Sequence, residues 1–179
     1  MRNLMLVATM MCLAASPCFA GENLDLYGTG SVVATVCGFE NLSNGFSTNG
    51  FIDIKEDGWF SKVRVAKMAN QIGLATELRS ASGGYREVVV GPQLELTDNA
   101  GFVRANYWSD GTLSIWQQHT LSQDFWTSGW LDVKKGGQTN AELQIGYKVT
   151  PRADLVAEYR FGSARADTQL AIGVQFGLR

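Results

Sequence analysis

The sequence predicts an all-β protein that folds as one antiparallel up-and-down β-barrel. Two observations support this class. Short runs in which apolar and polar residues alternate recur along the chain, and alternation is typical of strands whose two faces meet different surroundings. Turn sequences such as Asn44-Gly45, Gly83-Gly84 and Gly136-Gly137 separate these runs, a pattern that indicates hairpins between antiparallel strands.

The first twenty residues predict a signal peptide rather than an N-terminal membrane anchor. Basic Arg2 precedes an apolar run that begins at Leu4, and the small residues Cys18 and Ala20 fit a cleavage site after Ala20. The run is shorter than the roughly 20 residues of a membrane-spanning helix. We therefore expect residues 1–20 to be removed and residues 21–179 to form a single β-barrel domain. Cys37 would then be its one cysteine, so no internal disulfide is expected.

Charge composition argues against a nucleic-acid partner. The chain has 15 Lys and Arg, 17 Asp and Glu, and a net charge of −2, which leaves no basic footprint for a phosphate backbone. A chain with 20 glycines and only 18% charged residues is also unlike a secreted globule.

Eleven runs are predicted as strands. The clearest are Ala141 to Val149, Asp154 to Phe161 and Leu170 to Leu178; the others are Leu24 to Val36, Gly50 to Lys55, Phe60 to Met68, Ile72 to Arg79, Tyr85 to Leu96, Phe102 to Trp108, Leu113 to His119 and Trp126 to Lys134. The segment around Phe60 to Met68 also fits a short amphipathic helix, and Pro92 predicts a bulge or break because proline cannot donate to a ladder. Bacterial barrels have even strand numbers, so we expect 8 to 12 strands and favour 10.

Each clear strand has one apolar face and one face that mixes small and charged residues. In a soluble barrel or sandwich the apolar face points inward, whereas in a transmembrane barrel it meets lipid and the polar face lines the lumen. Glycine weakens a strand and marks places where space is short. Gly73, Gly146, Gly173 and Gly177 on the polar faces therefore favour a lumen in which they make room for paired charges. The expected lumen charge network is Glu77, Arg79, Glu142, Lys148, Glu158 and Arg160.

Aromatic residues near the strand ends give a weaker indication. Tyr159, Phe161, Trp108 and Trp126 lie at or near predicted strand ends, where transmembrane barrels carry girdles of aromatic residues at the membrane interfaces. Aromatic residues are also common in strands that pack a core, so both interpretations stay open.

The last forty residues resemble the closing hairpins of small Gram-negative outer-membrane β-barrels. Gly146-Tyr147-Lys148 ends one strand, Thr150-Pro151-Arg152 forms a tight turn, Glu158-Tyr159-Arg160-Phe161 lies in the next strand, and an amphipathic strand closes the chain. The apolar face of that strand is formed by Leu170, Ile172, Val174, Phe176 and Leu178. The resemblance implies outer-membrane lipid and the outer-membrane assembly machinery as partners, the latter through the terminal strand. Most such chains finish on an aromatic residue, whereas this one finishes on Arg179.

Candidate catalytic residues are few. His119 is the one histidine, and Ser122 and Asp124 follow it closely. These residue types suggest a Ser/His/Asp site for nucleophilic catalysis. In a continuous strand, however, His119 would face away from Ser122 and Asp124. We see no spacing that suggests a metal site or a cofactor, and expect neither.

Three functions are compatible with these observations. The first is an outer-membrane barrel with a structural or narrow-pore role and no catalysis. The second is an outer-membrane lipid-modifying enzyme that uses His119. The third is a soluble periplasmic or secreted ligand-binding barrel, in which Leu143, Ile145, Leu155, Ile172 and Val174 would form the internal core.

Overall fold

The computed structural model describes residues 21–27, 32–55, 57–163 and 168–177. The predicted signal peptide and Leu178 lie outside these residues. Twelve strands are present in the described part: β1 (Gly21–Tyr27), β2 (Val32–Asn41), β3 (Phe46–Lys55), β4 (Gly58–Ala69), β5 (Ile72–Ala81), β6 (Arg86–Thr97), β7 (Gly101–Tyr107), β8 (Leu113–Thr120), β9 (Phe125–Val133), β10 (Thr139–Thr150), β11 (Ala153–Phe161) and β12 (Gln169–Gly177). A short 3-10 turn, Ser43–Gly45, joins β2 to β3. Among the described residues no helix is long and apolar enough to cross a membrane.

The strands form a closed, antiparallel, up-and-down barrel, as the sequence predicted. Each strand pairs with its neighbours in sequence, and β1 pairs with β12 from Asn23 opposite Gly177 to Tyr27 opposite Gly173. The favoured number of ten strands is too low: all eleven predicted runs are strands, and one of them, Leu24 to Val36, is two strands, which makes twelve. β1 ends at Tyr27 and β2 begins at Val32, and the two strands pair antiparallel from Gly21 opposite Phe39 to Leu26 opposite Ala34.

The strand pairing decides two points that the sequence left open: whether Phe60 to Met68 is a helix, and whether Pro92 breaks its strand. The segment that could have been a helix is strand β4, which is paired along its length with β3 and β5. At Pro92 the strand β6 continues, with an unbroken register to β5 from Ile72 opposite Leu94 to Ser80 opposite Arg86. The ladder between β6 and β7, in contrast, stops at Gln93 opposite Asn106. Pro92 therefore interrupts the pairing on one side of β6 without breaking the strand.

Turn geometry explains several of the chain reversals. Asn44 and Gly45 have φ of 60° and 74°, in the left-handed region that these two residue types adopt most readily. Asn70, with a φ of 61°, forms the tight turn between β4 and β5, a position that the turn signals in the sequence did not mark.

The apolar faces point out of the barrel. Leu143, Ile145 and Ile172 are 41%, 48% and 53% exposed, and Leu155 is exposed as well. The prediction that these residues form the core of a soluble barrel is therefore wrong, since their strands turn the opposite face inward. Removing apolar surface from water drives folding, so a barrel with aliphatic residues on most outward positions is the fold of a membrane protein.

The interior combines one small packed cluster with many polar and charged side chains. Small and apolar side chains of Ala66, Ala75, Val89 and Trp108 form a buried cluster against the β4–β7 wall, with Met68 beside it. Polar and charged side chains occupy the rest of the inward positions. The lumen is thus filled unevenly, and its open part is lined by residues from β2 through β12.

The inward glycines make room for large side chains rather than for charges. A Cβ built on Gly146 would lie 2.0 Å from the indole ring of Trp126, and one on Gly73 would lie 2.5 Å from the sulfur of Met68. A Cβ on Gly177 would meet nothing within 4 Å. The predicted role of Gly73 and Gly146 in accommodating the charge network is wrong, because Met68 and Trp126 occupy that space.

Candidate functional site in the barrel lumen

The open part of the lumen is a cavity of about 700 Å³. It extends from Thr97 and Thr120, at the ends of β6 and β8, to Trp108 and Asp132 nearer the other end of the barrel. In the described part of the chain it is lined by six carboxylates, Asp53, Glu77, Glu95, Asp132, Glu142 and Asp154, and by four basic side chains, Lys62, Arg64, Arg104 and Arg160. Aromatic rings, among them Phe51, Phe102, Trp116, Trp126 and Trp130, complete the lining.

One cluster of charges surrounds Arg160 on β11. Its Nε lies 3.0 Å from Glu142 Oε2 and also contacts the carboxylate of Glu158, while its Nη1 lies 3.5 Å from Asp53 Oδ2 on β3. Thr35 donates a hydrogen bond of 2.7 Å to Asp53, and Gln144 donates one of 2.8 Å to Glu158. The cluster therefore joins two walls that are separated by β12, β1 and β2.

A second cluster surrounds Arg79 of β5, which lies on the opposite wall of the barrel, six strands away from β11. Arg79 lies 2.7 Å from Glu77, 3.2 Å from Glu87 and 2.7 Å from Asp110, which belongs to the loop between β7 and β8. The same loop begins with Trp108, which is only 1% exposed and donates a hydrogen bond of 2.8 Å to Ser114 Oγ. The loop is thus fastened to the barrel wall by an ion pair and a buried indole.

Two loop residues of this second cluster, Asp110 and Tyr85, have shifted pKa values. Partial burial acts to raise the pKa of Asp110, but hydrogen bonds from Thr112 and Arg79 outweigh it, so the pKa of Asp110 is lowered. The pKa of Tyr85 is raised, first because its hydroxyl donates a hydrogen bond of 2.6 Å to Glu87. At neutral pH the carboxylate of Asp110 is therefore ionised and paired with Arg79.

The six charged residues of the predicted network lie in different places. Glu142, Glu158 and Arg160 come together around one centre and Glu77 and Arg79 around another. Lys148 is exposed near the end of β10 and forms no ion pair within the described part of the chain.

Two of the aromatic residues considered for the membrane interface point into the lumen instead. Trp108 is buried inside the barrel, and Trp126 lines the cavity and donates a hydrogen bond of 2.7 Å to Asp154. Tyr159 and Phe161 are 44% and 40% exposed on the outward face. The interfacial interpretation is therefore wrong for both tryptophans, because the strand register turns them inward.

A row of aromatic and charged side chains crosses the β7–β10 wall at one level. Trp116 is paired across strands with Arg104 and with Trp130, and Trp130 is paired with Glu142. The Arg104 guanidinium lies 5.1 Å from the Trp116 ring centroid, and its Nε donates a hydrogen bond of 2.6 Å to Glu95. Two indoles therefore stand side by side on the lumen wall.

Basic side chains from the opposite wall cover these indoles. Lys62 of β4 lies 5.2 Å from the Trp130 ring centroid, and Arg64, two residues along the same strand, lies 5.6 Å from that of Trp116. The Lys62 ammonium also lies 3.1 Å from Asp132 Oδ2 of β9. Because β4 and β9 stand on nearly opposite sides of the twelve-strand barrel, Lys62 and Asp132 form a bridge across the lumen.

The cross-lumen bridge was not predicted from the sequence. Lys62 and Asp132 are 70 residues apart, and the run around Trp116, Ser-Ile-Trp-Gln-Gln-His-Thr, has polar residues on both faces. The alternation of side chains along each strand could have identified part of this arrangement, because residues two positions apart lie on the same face. Trp116 shares a face with Ser114, and Trp130 shares one with Asp132.

The catalytic candidates His119, Ser122 and Asp124 are not brought together. His119 lies in β8, where it is paired with Gly101 and Thr127. The Ser122 hydroxyl accepts hydrogen bonds from the backbone N–H groups of Asp124 and Phe125 at 3.4 and 3.2 Å, as in a local turn. Within the described residues no hydrogen bond joins His119 to Ser122, and no group of three or more His, Cys, Asp or Glu is arranged to hold a metal ion.

The terminal strand β12 has most of its apolar side chains on the outside of the barrel. Leu170, Ile172 and Phe176 are exposed on the outside of the barrel and Val174 is half-buried. The strand pairs with β11 on one side and β1 on the other, so it closes the barrel.

The closed barrel, with its aliphatic exterior and charged lumen, has the fold of solved porin structures. The KdgM porin superposes with a TM-score of 0.55, covering 89% of this chain and 98% of its own at 15% identity. The KdgM porin in complex with disordered oligogalacturonate gives the same TM-score at 14% identity, again covering 89% of this chain and 98% of its own. A mutant of the Rh. blastica porin has a TM-score of 0.48 and 14% identity, covering 81% of this chain and 55% of its own. No protein-family model and no curated protein matches the sequence.

Proposed function

We propose that the protein is a narrow, weakly cation-selective pore of the outer membrane of a Gram-negative bacterium. The observation that supports this role is the cavity of about 700 Å³ inside a closed barrel whose outer face is aliphatic. A barrel with a purely structural role has no need of an open interior, and in small barrels side chains fill the lumen.

The charge of the lining supports cation selectivity. Among the described residues the cavity presents six carboxylates against four basic side chains. A lining with an excess of one sign raises the local concentration of the opposite ion. Because most of these charges are paired at short distances, the selectivity should be modest.

The cross-lumen contacts support a narrow passage. Lys62 reaches Asp132, and Arg160 reaches Asp53 from the other side. Both pairs cross the space that a solute would have to traverse, so single-channel conductance should be small compared with that of a large water-filled porin.

Loop lengths support one orientation in the membrane. At one end the β5–β6, β7–β8 and β9–β10 connections have four or five residues and β3–β4 has two. At the other end β4–β5, β6–β7 and β10–β11 have two or three residues, and β2–β3 and β8–β9 have four. In barrels of this class the longer loops are extracellular and the short turns periplasmic. The loop held by Arg79 would accordingly lie at the outer mouth.

The charge of this lumen suggests a different solute from the one named for a structural neighbour. The KdgM porin has been solved with oligogalacturonate, an acidic oligosaccharide. An excess of carboxylates in the lining would repel a polyanion, so we expect small neutral or cationic solutes instead.

Reversal potentials in planar bilayers test the proposal. With the purified barrel between asymmetric KCl solutions, we expect small steps of conductance and a potential whose sign corresponds to K⁺ permeating faster than Cl⁻. An Asp154→Asn variant, which removes one carboxylate of the lining outside the Arg160 cluster, should weaken the preference. Absence of conductance would favour the structural role, and preference for Cl⁻ would contradict the charge argument.

A further inference from the structure

Lys62 occupies a position on the lumen wall that has the chemistry of an organic-cation site. Its ammonium lies 5.2 Å from the centroid of the Trp130 ring and 3.1 Å from Asp132 Oδ2. An aromatic face combined with a carboxylate is the arrangement by which proteins bind ammonium and quaternary ammonium groups. The protein's own side chain thus shows where a cation would be held.

The groups that would hold the cation are fixed by the barrel wall. Asp132 accepts a second hydrogen bond, from the Ser114 hydroxyl, and that hydroxyl in turn accepts one from the indole N–H of Trp108. Trp130 is paired across strands with Trp116 on one side and with Glu142 on the other. The ring and the carboxylate therefore keep their positions whether or not Lys62 is present.

Lys62, in contrast, can leave. Its side chain is 16% exposed to the cavity, and it extends from the opposite wall on a flexible four-carbon stem that can place the ammonium in water. The adjacent cavity of about 700 Å³ is large enough for a small organic ion.

The neighbouring charges favour a cation over an anion at this position. Once Lys62 moves, Asp132 loses its basic partner, whereas Glu142 beside Trp130 stays paired with Arg160. An anion would therefore meet the carboxylate of Asp132 and the negative face of an indole. The nearest guanidinium groups are engaged elsewhere: Arg64 donates hydrogen bonds to Asn49 and Asn106, and Arg104 donates to Glu95.

We propose that Trp130 and Asp132 form a binding site for organic cations that carry an ammonium or quaternary ammonium group, and that Lys62 fills this site in the absence of solute. A permeating cation competes with Lys62, takes its place on the indole and opens the bridge across the lumen. The site deepens the pore proposed above and rests on it for its biological meaning, although binding is measurable without conduction.

Calorimetry of the purified barrel in detergent, with choline as the probe, tests the site. The control ligand is 3,3-dimethyl-1-butanol, which has the shape of choline without its charge. We expect choline to bind the wild type and Lys62→Gln to tighten binding by about tenfold, because the competing ammonium and its repulsion are removed. Asp132→Asn and Trp130→Leu should each weaken binding by about tenfold or more, and Trp130→Phe should have a smaller effect.

Lys67→Gln is the matched control. Lys67 also lies over a ring, 4.3 Å from the Phe46 centroid, but it is exposed rather than in the cavity. Its replacement should leave choline binding unchanged. Heat-dependent gel mobility establishes that each variant retains the barrel, so only folded variants are compared.

The outcomes separate this site from the pore proposal. Equal affinity of wild type and Lys62→Gln, or equal binding of choline and its neutral isostere, would overturn the site even if the barrel conducts KCl. Choline binding that depends on Trp130 and Asp132 in a barrel that does not conduct would support the site and overturn the pore.

Discussion

Replacing Arg160 with methionine should strongly destabilise the barrel. Arg160 is only 6% exposed and lies among the carboxylates of Asp53, Glu142 and Glu158, of which Glu158 is 1% exposed. Removing one partner of a buried ion pair costs about 3 to 5 kcal/mol, because a charge is left without compensation. Asp53 and Glu158 keep hydrogen-bond donors in Thr35 and Gln144, so we expect a loss in the free energy of unfolding of about 3 kcal/mol.

Urea unfolding of the barrel in lipid vesicles, followed by tryptophan fluorescence, measures this change. Arg86→Met is the control, since Arg86 is exposed at the start of β6 and its loss should cost no more than about 0.5 kcal/mol. The double variant Arg160→Met with Glu158→Gln should recover at least about 1 kcal/mol of the loss. A change below about 1 kcal/mol for Arg160→Met, or no recovery in the double variant, would refute the idea that repulsion among these carboxylates is what Arg160 relieves.

Four further results are expected. Leu143→Arg, which places a charge on the outward face of β10, should cost about 2 to 4 kcal/mol in vesicle unfolding. Gly91→Ala should cost about 1 to 3 kcal/mol because its Cβ would lie 1.9 Å from a backbone oxygen of β7, whereas Gly177→Ala, with open space around it, should be neutral in the same assay. Because the pKa of Asp110 is lowered in the folded protein, its ion pair with Arg79 should be complete above the ordinary pKa of about 3.8 and be lost as the pH falls through the lowered value. Channel conductance should therefore increase only in that acidic range. The Asp110→Asn variant should not show this increase. Deletion of residues 170–179 should prevent recognition by the outer-membrane assembly machinery, and fractionation should find the remainder in the periplasm; normal outer-membrane recovery would contradict this.

Much of the fold could be predicted because strand periodicity is a local property. The alternation in Ile72 to Arg79 and in Leu170 to Gly177 identifies strands and their two faces without reference to the rest of the chain. The undercount of strands arose at one place, between Tyr27 and Val32, where small polar residues were counted as part of a strand.

The candidate site was predicted only where its members are neighbours in sequence or across a hairpin. Glu158 and Arg160 share a face two residues apart, and Glu142 lies opposite Arg160 across the β10–β11 hairpin. Asp53 joins the same cluster from a strand more than 100 residues earlier, and no local pattern connects it to the hairpin. The cross-lumen bridge between Lys62 and Asp132 was missed for the same reason.

The sequence alone determined which residues form strands and which of them share a face, because side chains alternate along any extended chain. It could not determine what each face meets, since a soluble core and a lipid-facing surface produce the same alternation. Closure of twelve strands into one barrel decided that Leu143, Ile145 and Ile172 point outward. Closure also brought Lys62 to Asp132 and Trp130 across the lumen, because the diameter and stagger of the barrel, rather than any short segment, set which side chains meet inside it.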